Sequence, residues 1–310
     1  NVVVGDEAGT AITTGDANVA IGFRTLDANT TGTNNTAVGL AALGANTTAS
    51  NNTAVGYRAL DLNTVGANNV AVGANALDAN TTAGYNTAVG KSALTTNTTG
   101  TQNTAVGAQT LLANTTGNYN VAVGVNTLLS NTTGNNNTAL GTYALDSNTT
   151  ASNNTAVGYH SLGANTTGTN NTALGHHALY SNTTAGGNSA LGYSALGANT
   201  TGDLNTALGY SALSLNTAGD RAVAVGYGAL KLQNPSGNAD TYNTAVGYNA
   251  GGSVSTGIKN TFLGGLAGDA LTTSAENIAI GYGALSSDTL GGRSVAVGTF
   301  TLNDQNFTSS

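Results

Sequence analysis

Residues 35–51 read Asn-Thr-Ala-Val-Gly-Leu-Ala-Ala-Leu-Gly-Ala-Asn-Thr-Thr-Ala-Ser-Asn, and this phrase recurs with small variations along the whole sequence. Its first glycine occurs 18 times, and the interval is 17 residues except for one of 21 between Gly226 and Gly247. A fixed short period is typical of repeat architectures, in which each unit contacts only its neighbours. The sequence therefore predicts a stack of short units rather than globular domains with one common core.

One repeat is predicted to form one coil of a parallel β-solenoid. A helical hairpin repeat needs about 33 residues or more, which is too long for this unit. We expect a short strand over Asn35 to Val38, a corner at Gly39 with a positive φ, a second short strand around Ala42 and Leu43, and an Asn-Thr-Thr turn. The fold class is therefore all-β, with about 18 coils stacked roughly 4.8 Å apart.

The alternation of side chains along the strand assigns Thr36 and Val38 to one face and Asn35 and Ala37 to the other. We assign the aliphatic residue before the glycine, together with the leucine four residues after it, to the coil's own core. The small alanine face then packs against an identical chain, which predicts a homotrimer about a fibre axis, with a monomeric solenoid as the alternative. The expected interface alanines are Ala37, Ala54, Ala71, Ala88, Ala105, Ala122 and Ala139.

An asparagine seven residues after the glycine recurs in 12 consecutive repeats, which predicts a stacked asparagine ladder in the turn. Most of these residues also begin Asn-x-Thr acceptor sequences, which are glycosylated only where the asparagine is exposed. A ladder that points inward could not be modified, whereas an outward one makes a sugar-coated chain possible. The candidate glycosylation sites are Asn29, Asn46, Asn80, Asn97, Asn114, Asn131, Asn148, Asn165, Asn182 and Asn199, with further acceptors at Asn34, Asn51, Asn136, Asn153 and Asn170.

Tyrosines often follow the repeat glycine and are expected to line one edge of the stack. An aromatic face can pack on the apolar face of a sugar while the hydroxyl forms hydrogen bonds, so these side chains are candidate ligand contacts. Packing at the corner of the coil is the structural alternative. The candidates are Tyr57, Tyr159, Tyr193, Tyr210 and Tyr227.

The phrase at Asn154 to Leu162, and again at Asn205 to Leu213, resembles the head repeats of trimeric autotransporter adhesins. The motif Ser-Val-Ala-Val-Gly at Ser294 to Gly298 is similar as well. The added Asn-Thr-Thr-Gly turn makes the unit longer and closer to repeats of phage tail-fibre proteins. The resemblance implies a left-handed parallel β-roll in trimers, located outside the cell, on the cell surface or in a virion fibre.

Composition argues against several other functions. The net charge is −7 and the seven Lys and Arg residues are scattered, so the basic patch of nucleic-acid-binding proteins is missing. No apolar run reaches the 18 residues expected of a membrane-inserted helix, and there is no cysteine. Acidic residues such as Asp27, Asp61, Asp78 and Asp146 stand singly rather than as a glycosidase pair. We expect neither an enzyme nor a cofactor.

The three histidines, His160, His176 and His177, are expected on the surface. His160 and His177 occupy the same repeat position in adjacent coils, about 5 Å apart, so a metal site is a remote alternative.

The repeat is regular over residues 1–230 and changes afterwards. Residues 231–242 contain an insertion with the only proline, Pro235, which is interpreted as a surface loop, either a tolerated bulge or a binding loop. Over residues 243–302 the coils are irregular, because Gly251 and Gly268 replace leucine and Phe262 replaces alanine, which suggests a transition towards a cap. The polar tail, residues 303–310, is expected to fray.

The leading functional hypothesis is a structural fibre protein, an adhesin or tail-fibre shaft or head, that contacts surface receptors or glycans. Its main partner would be itself. The alternative is a self-assembling, glycosylated extracellular filament or matrix protein. A remote alternative is an ice-binding solenoid based on the threonine row at Thr36, Thr53 and Thr87, which is disfavoured when threonine is assigned to the core-facing side.

Overall fold

The computed structural model describes residues 1–304 and divides into two units, Asn1–Asn153 and Asn154–Ser310. The repeat pattern of the sequence does not change at this division. Both units are built from three-residue strands that follow each other at the repeat spacing. In the first unit these are β1 Val2–Val4, β2 Val19–Ile21, β3 Thr36–Val38, β4 Thr53–Val55, β5 Val70–Val72, β6 Thr87–Val89, β7 Thr104–Val106, β8 Val121–Val123 and β9 Thr138–Leu140. In the second they are β10 Thr155–Val157, β11 Thr172–Leu174, β12 Ser189–Leu191, β13 Thr206–Leu208, β14 Val223–Val225, β15 Thr244–Val246, β16 Thr261–Leu263, β17 Ile278–Ile280 and β18 Val295–Val297.

Consecutive strands within each unit pair in parallel, with equivalent repeat positions directly side by side. Thr36, for example, pairs with Thr53 and Ala37 with Ala54, an offset of 17 residues. At β14 and β15 the offset is 21, with Val223 beside Thr244, so the insertion lengthens one coil without shifting the register. The prediction of a parallel β-solenoid with a 17-residue repeat is confirmed.

The expected second strand around Ala42 and Leu43 is wrong. Ala41 and Leu43 have φ angles of 56° and 51°, so right- and left-handed residues alternate after the corner. As a result, the amides on either side of Ala42 bond in opposite directions along the stack. The Ala41 N–H donates to the carbonyl of Phe23 in the preceding coil, and the Leu43 N–H donates to Ala59 in the following one. These bonds between coils offset the roughly 1–2 kcal/mol that left-handed backbone costs each residue.

The corner glycine behaves as expected from the sequence. Gly39 has a φ of 127°, a backbone conformation that residues other than glycine rarely adopt. A Cβ atom built on Gly39 would lie 2.5 Å from the carbonyl oxygen of Gly56 in the next coil. The position therefore requires glycine both for its backbone conformation and for the close contact between coils.

The assignment of strand faces from the sequence is wrong. Ala37 is fully buried inside its own coil together with Ala42 and Leu43, whereas Thr36 and Val38 are only half-buried and face outwards. A 17-residue coil encloses a thin interior that the leucine already occupies, so the strand can add only a small side chain there. The alanines expected at an oligomer interface have almost no exposed surface in a single chain: Ala37, Ala54, Ala71, Ala88, Ala105, Ala122 and Ala139.

The predicted asparagine ladder is present and buried. The Asn46 side-chain amide donates to Asn29 Oδ1 at 2.8 Å and to the carbonyl of Ala49 at 3.1 Å. Each such residue therefore closes its own turn and also links its coil to the preceding one. Because these polar side chains are hydrogen-bonded, the interior can hold them without the cost of unpaired polar groups.

A second buried asparagine ladder, which the sequence analysis did not identify, lies at the start of the strands. The Asn35 N–H donates to Asn18 Oδ1 at 2.9 Å, and the Asn35 side-chain amide donates to the carbonyl of Ala49, also at 2.9 Å. The carbonyl of Ala49 thus accepts from both ladders. The two ladders together tie the turn to the strand in coil after coil.

The insertion and the irregular coils continue the same solenoid. Gln233 takes the place of the ladder asparagine and accepts a hydrogen bond from the Asn243 side chain at 2.8 Å. The changes that suggested a cap compensate each other in the core. Phe262 is fully buried, and Cβ atoms on Gly251 or Gly268 would lie within 3 Å of its ring, so the large ring takes the space that leucines fill in other coils. Most of the expected tail, residues 305–310, lies outside the described residues.

Candidate ligand-binding surface

In the second unit, aromatic residues that follow the repeat glycine form an aromatic ladder, which comprises His176, Tyr193, Tyr210, Tyr227 and Tyr248. Neighbouring ring centroids are 5.0 to 5.4 Å apart, and the ring planes differ by 8° to 15°. This spacing follows from the register, because stacked coils place equivalent side chains about 4.8 Å apart.

The stacking limits what these rings can bind. The two faces of Tyr193, Tyr210 and Tyr227 are covered by their neighbours, so these side chains present mainly ring edges and hydroxyl groups to solvent. A sugar that packs on an aromatic face finds no free face within the ladder, which favours corner packing as the role of these tyrosines. Tyr57 is different: the equivalent residues of the adjacent coils are Leu40 and Ala74, and its exposed side chain has no ring on either side.

The three histidines lie together at one end of the aromatic ladder. The centroid of the His177 ring is 4.1 Å from that of His176 and 5.8 Å from that of His160, and Tyr180 packs against both His160 and His177. Burial lowers the pKa of His177, and the neighbouring His176 and His160 lower it further. Among residues 1–304, no group of three or more His, Cys, Asp or Glu side chains is placed to hold a metal ion.

The glycosylation candidates fall into two classes. The ladder asparagines, including Asn29, Asn97 and Asn199, are fully buried, so a glycan cannot be attached to them in the folded chain. This excludes the whole expected set of Asn29, Asn46, Asn80, Asn97, Asn114, Asn131, Asn148, Asn165, Asn182 and Asn199 as modified sites in the folded structure. The further acceptors are exposed: Asn34, Asn51, Asn136, Asn153 and Asn170.

Two ion-pair clusters lie in the first unit, in the segments that follow the corner glycines Gly22 and Gly56. Arg24 Nε is 3.3 Å from Asp27 and 3.4 Å from Glu7. Two coils further on, Arg58 pairs through Nε with Asp61 at 2.9 Å and through a terminal nitrogen with Asp78 at 3.4 Å. The motif aromatic-Arg-x-Leu-Asp occurs at both places, at residues 23–27 and 57–61, and its repetition is a signal that the sequence analysis missed.

The outward face of the strands carries two rows of side chains. One row is mostly threonine, as at Thr36 and Thr206, and the other is aliphatic, as at Val38, Leu174 and Leu208. Several of the aliphatic side chains are exposed, whereas the alanine between the rows points inwards. This face, unlike the alanine row, is accessible to solvent in each unit.

Over residues 1–304, the structure has no helix with the length and apolar character needed to cross a membrane. No protein-family model matches the sequence, and no curated protein matches it.

Proposed function

We propose that the chain is a structural fibre segment that acts outside the cell, on a cell surface or in a virion, and that contacts surface receptors or glycans through its exposed edges. The observation that carries this proposal is the exact repetition of strand register together with two buried, hydrogen-bonded asparagine ladders. Such an array resists local opening, because each coil is bonded to the next through backbone and side chains. The resemblance to adhesin-head and tail-fibre repeats supports the same role.

Self-association is part of this proposal, but through a different surface from the alanine row. The exposed aliphatic row of the strands, with Leu174, Leu191 and Leu208, offers apolar surface that a second copy of the chain would cover. Replacing these three leucines by glutamate should give monomers in mass photometry while the circular dichroism spectrum is retained. Glutamate at Ala105 or Ala122 should instead unfold the coils, since those positions are buried.

The experiment that tests the fibre role combines protease resistance with binding to cells. We expect an oligomer that survives prolonged proteolysis and binds saturably to a cell surface. Rapid degradation throughout residues 1–304 would contradict the proposal. End-to-end polymers without saturable binding would favour a filament or matrix protein instead.

One observation favours ice binding as a second candidate function. The threonine row at Thr36, Thr53 and Thr87 was disfavoured because it was assigned to the core, but these side chains face outwards and are only half-buried. In-register strands place their hydroxyl and methyl groups in a regular array beside the aliphatic row. Thermal hysteresis that disappears when several of these threonines are replaced by lysine would support this function, and its absence in the wild-type protein would exclude it.

A further inference from the structure

The two ion-pair clusters of the first unit flank an open notch with a volume of about 550 Å³. The coil between the clusters contributes small residues to the floor of the notch, Ala41, Gly44 and Ala45. At the positions of Ala41 and Gly44, both neighbouring coils carry Arg and Asp, respectively. The notch therefore exists because one coil lacks the charged side chains that both flanking coils possess.

Part of the lining of the notch is apolar. Phe23, Leu40 and Tyr57 form this part, and all three side chains are exposed. Phe23 and Tyr57 are two coils apart, roughly 10 Å at the usual strand spacing, and Leu40 stands where a third ring would continue a stack. Unlike the tyrosines within the aromatic ladder, these two rings are not covered by a neighbouring ring.

The polar part of the lining consists of Arg24, Asp27, Arg58 and Asp61. Both ion pairs of Arg24 are formed through Nε, so the two terminal nitrogens of its guanidinium group are not part of those contacts. Each carboxylate can accept several hydrogen bonds, and each guanidinium can donate up to five. The rim thus offers both donors and acceptors next to an apolar strip.

The charge balance indicates what kind of ligand fits. The two arginines of the clusters face four carboxylates, those of Glu7, Asp27, Asp61 and Asp78. The lining itself is balanced, with two arginines and two aspartates, while Glu7 and Asp78 add negative charge beside it. An anionic ligand would therefore have to compete with the carboxylates for the arginines, and a cation would have to displace arginines from the carboxylates. Hydroxyl groups both donate and accept hydrogen bonds, so an uncharged ligand that carries them can bond to the paired Arg and Asp side chains without breaking the ion pairs.

We propose that the notch between Phe23 and Tyr57 binds a pyranose unit of an uncharged glycan, with the apolar sugar face on the aromatic strip and the hydroxyl groups on the Arg–Asp rim. This inference deepens the proposed contact with surface glycans and rests on it in that respect. It assigns Tyr57 a role that the stacked tyrosines of the second unit do not share.

The test uses the full chain on a printed array of neutral and sialylated oligosaccharides, followed by calorimetric titration of the neutral oligosaccharide that binds best. Leu40→Tyr should fill the notch by extending the aromatic row from Phe23 to Tyr57, and Tyr57→Ala should remove one wall. We expect each to weaken binding about tenfold or more, as the loss of an aromatic contact predicts. Tyrosine fits the fold at this position, since Tyr159 and Tyr193 occupy it in other coils.

Matched controls lie outside the notch in the same unit. Ala108→Tyr adds a tyrosine at the same repeat position, and Tyr119→Ala removes an exposed tyrosine from another edge; both should bind the sugar like the wild type. Binding of sialylated sugars alone, binding of no neutral sugar, or equal affinity of Leu40→Tyr and wild type would overturn the proposal.

The experiments distinguish an error in the proposed notch from an error in the proposed fibre role. If the notch is wrong but the fibre role is right, the wild type and Leu40→Tyr both remain protease-resistant and bind cells equally. If the fibre role is wrong, the wild type is degraded or fails to bind cells, while the sugar titration still reports on the notch.

Discussion

The buried asparagine ladder should carry a large part of the local stability, and Asn97→Ala tests this directly. The Asn97 side-chain amide donates to Asn80 Oδ1 at 3.0 Å and to the carbonyl of Gly100 at 2.9 Å. Its own Oδ1 accepts a hydrogen bond from the Asn114 side chain at 2.8 Å. All three asparagine side chains are fully buried, so water does not replace these partners without a change in structure.

The expected magnitude follows from the groups that lose their partners. The carbonyl of Gly100 keeps a hydrogen bond from Asn86 of the second ladder at 2.9 Å. Two groups are left unpaired, the Oδ1 of Asn80 and one N–H of Asn114. Each buried unpaired group costs roughly 1–3 kcal/mol, so the substitution should destabilise the surrounding coils by roughly 2–6 kcal/mol.

Amide hydrogen exchange is the appropriate assay, because a repeat array need not unfold in a single step. The amides of Leu94 and Thr98, which donate to Thr110 and Thr115, report on the opening of the coils around Asn97. The lower bound of 2 kcal/mol corresponds to exchange that is faster by about 30-fold. The control is Thr99→Ala in the same turn, because Thr99 is exposed and bonds to Thr115 through its backbone amide.

Exchange at Leu94 and Thr98 that changes equally in Asn97→Ala and Thr99→Ala would contradict this expectation. It would mean that the ladder bonds contribute no more than an exposed threonine side chain.

The other predictions concern the histidines, the phenylalanine exchange and the acceptor asparagines. Because the pKa of His177 is lowered in the folded state, its contribution to stability is complete above the ordinary pKa of about 6.5 and is lost as the pH falls below it. Wild-type protein should therefore lose more thermal stability between pH 7.5 and pH 5.5 than His177→Asn, and equal losses would contradict this. Gly268→Leu should destabilise the second unit by about 1–3 kcal/mol, because the new side chain overlaps Phe262, although the backbone is of the same left-handed type that carries Leu285. Phe262→Ala should restore much of that loss in a denaturant titration of the double variant, and additive effects would show that the two sites are independent. In a host with N-glycosylation, peptide mapping should find glycans only on exposed acceptors, and a glycan on a ladder asparagine would contradict the burial: the exposed acceptors are Asn34, Asn51, Asn136, Asn153 and Asn170.

The sequence predicts which edge of the coils many surface residues occupy, but not how their side chains are arranged there. The sequence places Tyr193 and Tyr210 on one edge, yet only the three-dimensional structure shows that their rings stack and cover each other's faces. The notch depends on side chains that one coil lacks, at Ala41 and Gly44, and absences are harder to recognise than motifs. The repeated aromatic-Arg-x-Leu-Asp motif at residues 23–27 and 57–61 was the available signal.

The main features of the fold follow from the repeat period and from the residues that recur in it. Eighteen glycines at almost constant spacing predict units that stack in register, and strands stacked in this way pair in parallel. The recurring glycine predicts the corner, and the recurring asparagine predicts the ladder. These conclusions depend only on which residue recurs and at what distance, so they do not need any knowledge of the neighbouring side chains.

Which face of the strand is buried depends on the packing inside the coil. Alternation separates Thr36 and Val38 from Ala37 but does not say which set points inwards. Hydrophobicity favours valine inside, whereas the thin interior, already occupied by Leu43 and the asparagine ladders, leaves room only for alanine. The left-handed backbone at Ala41 and Leu43 was equally hidden, because it goes with hydrogen bonds from Ala41 to the preceding coil and from Leu43 to the following one rather than with a local preference of leucine.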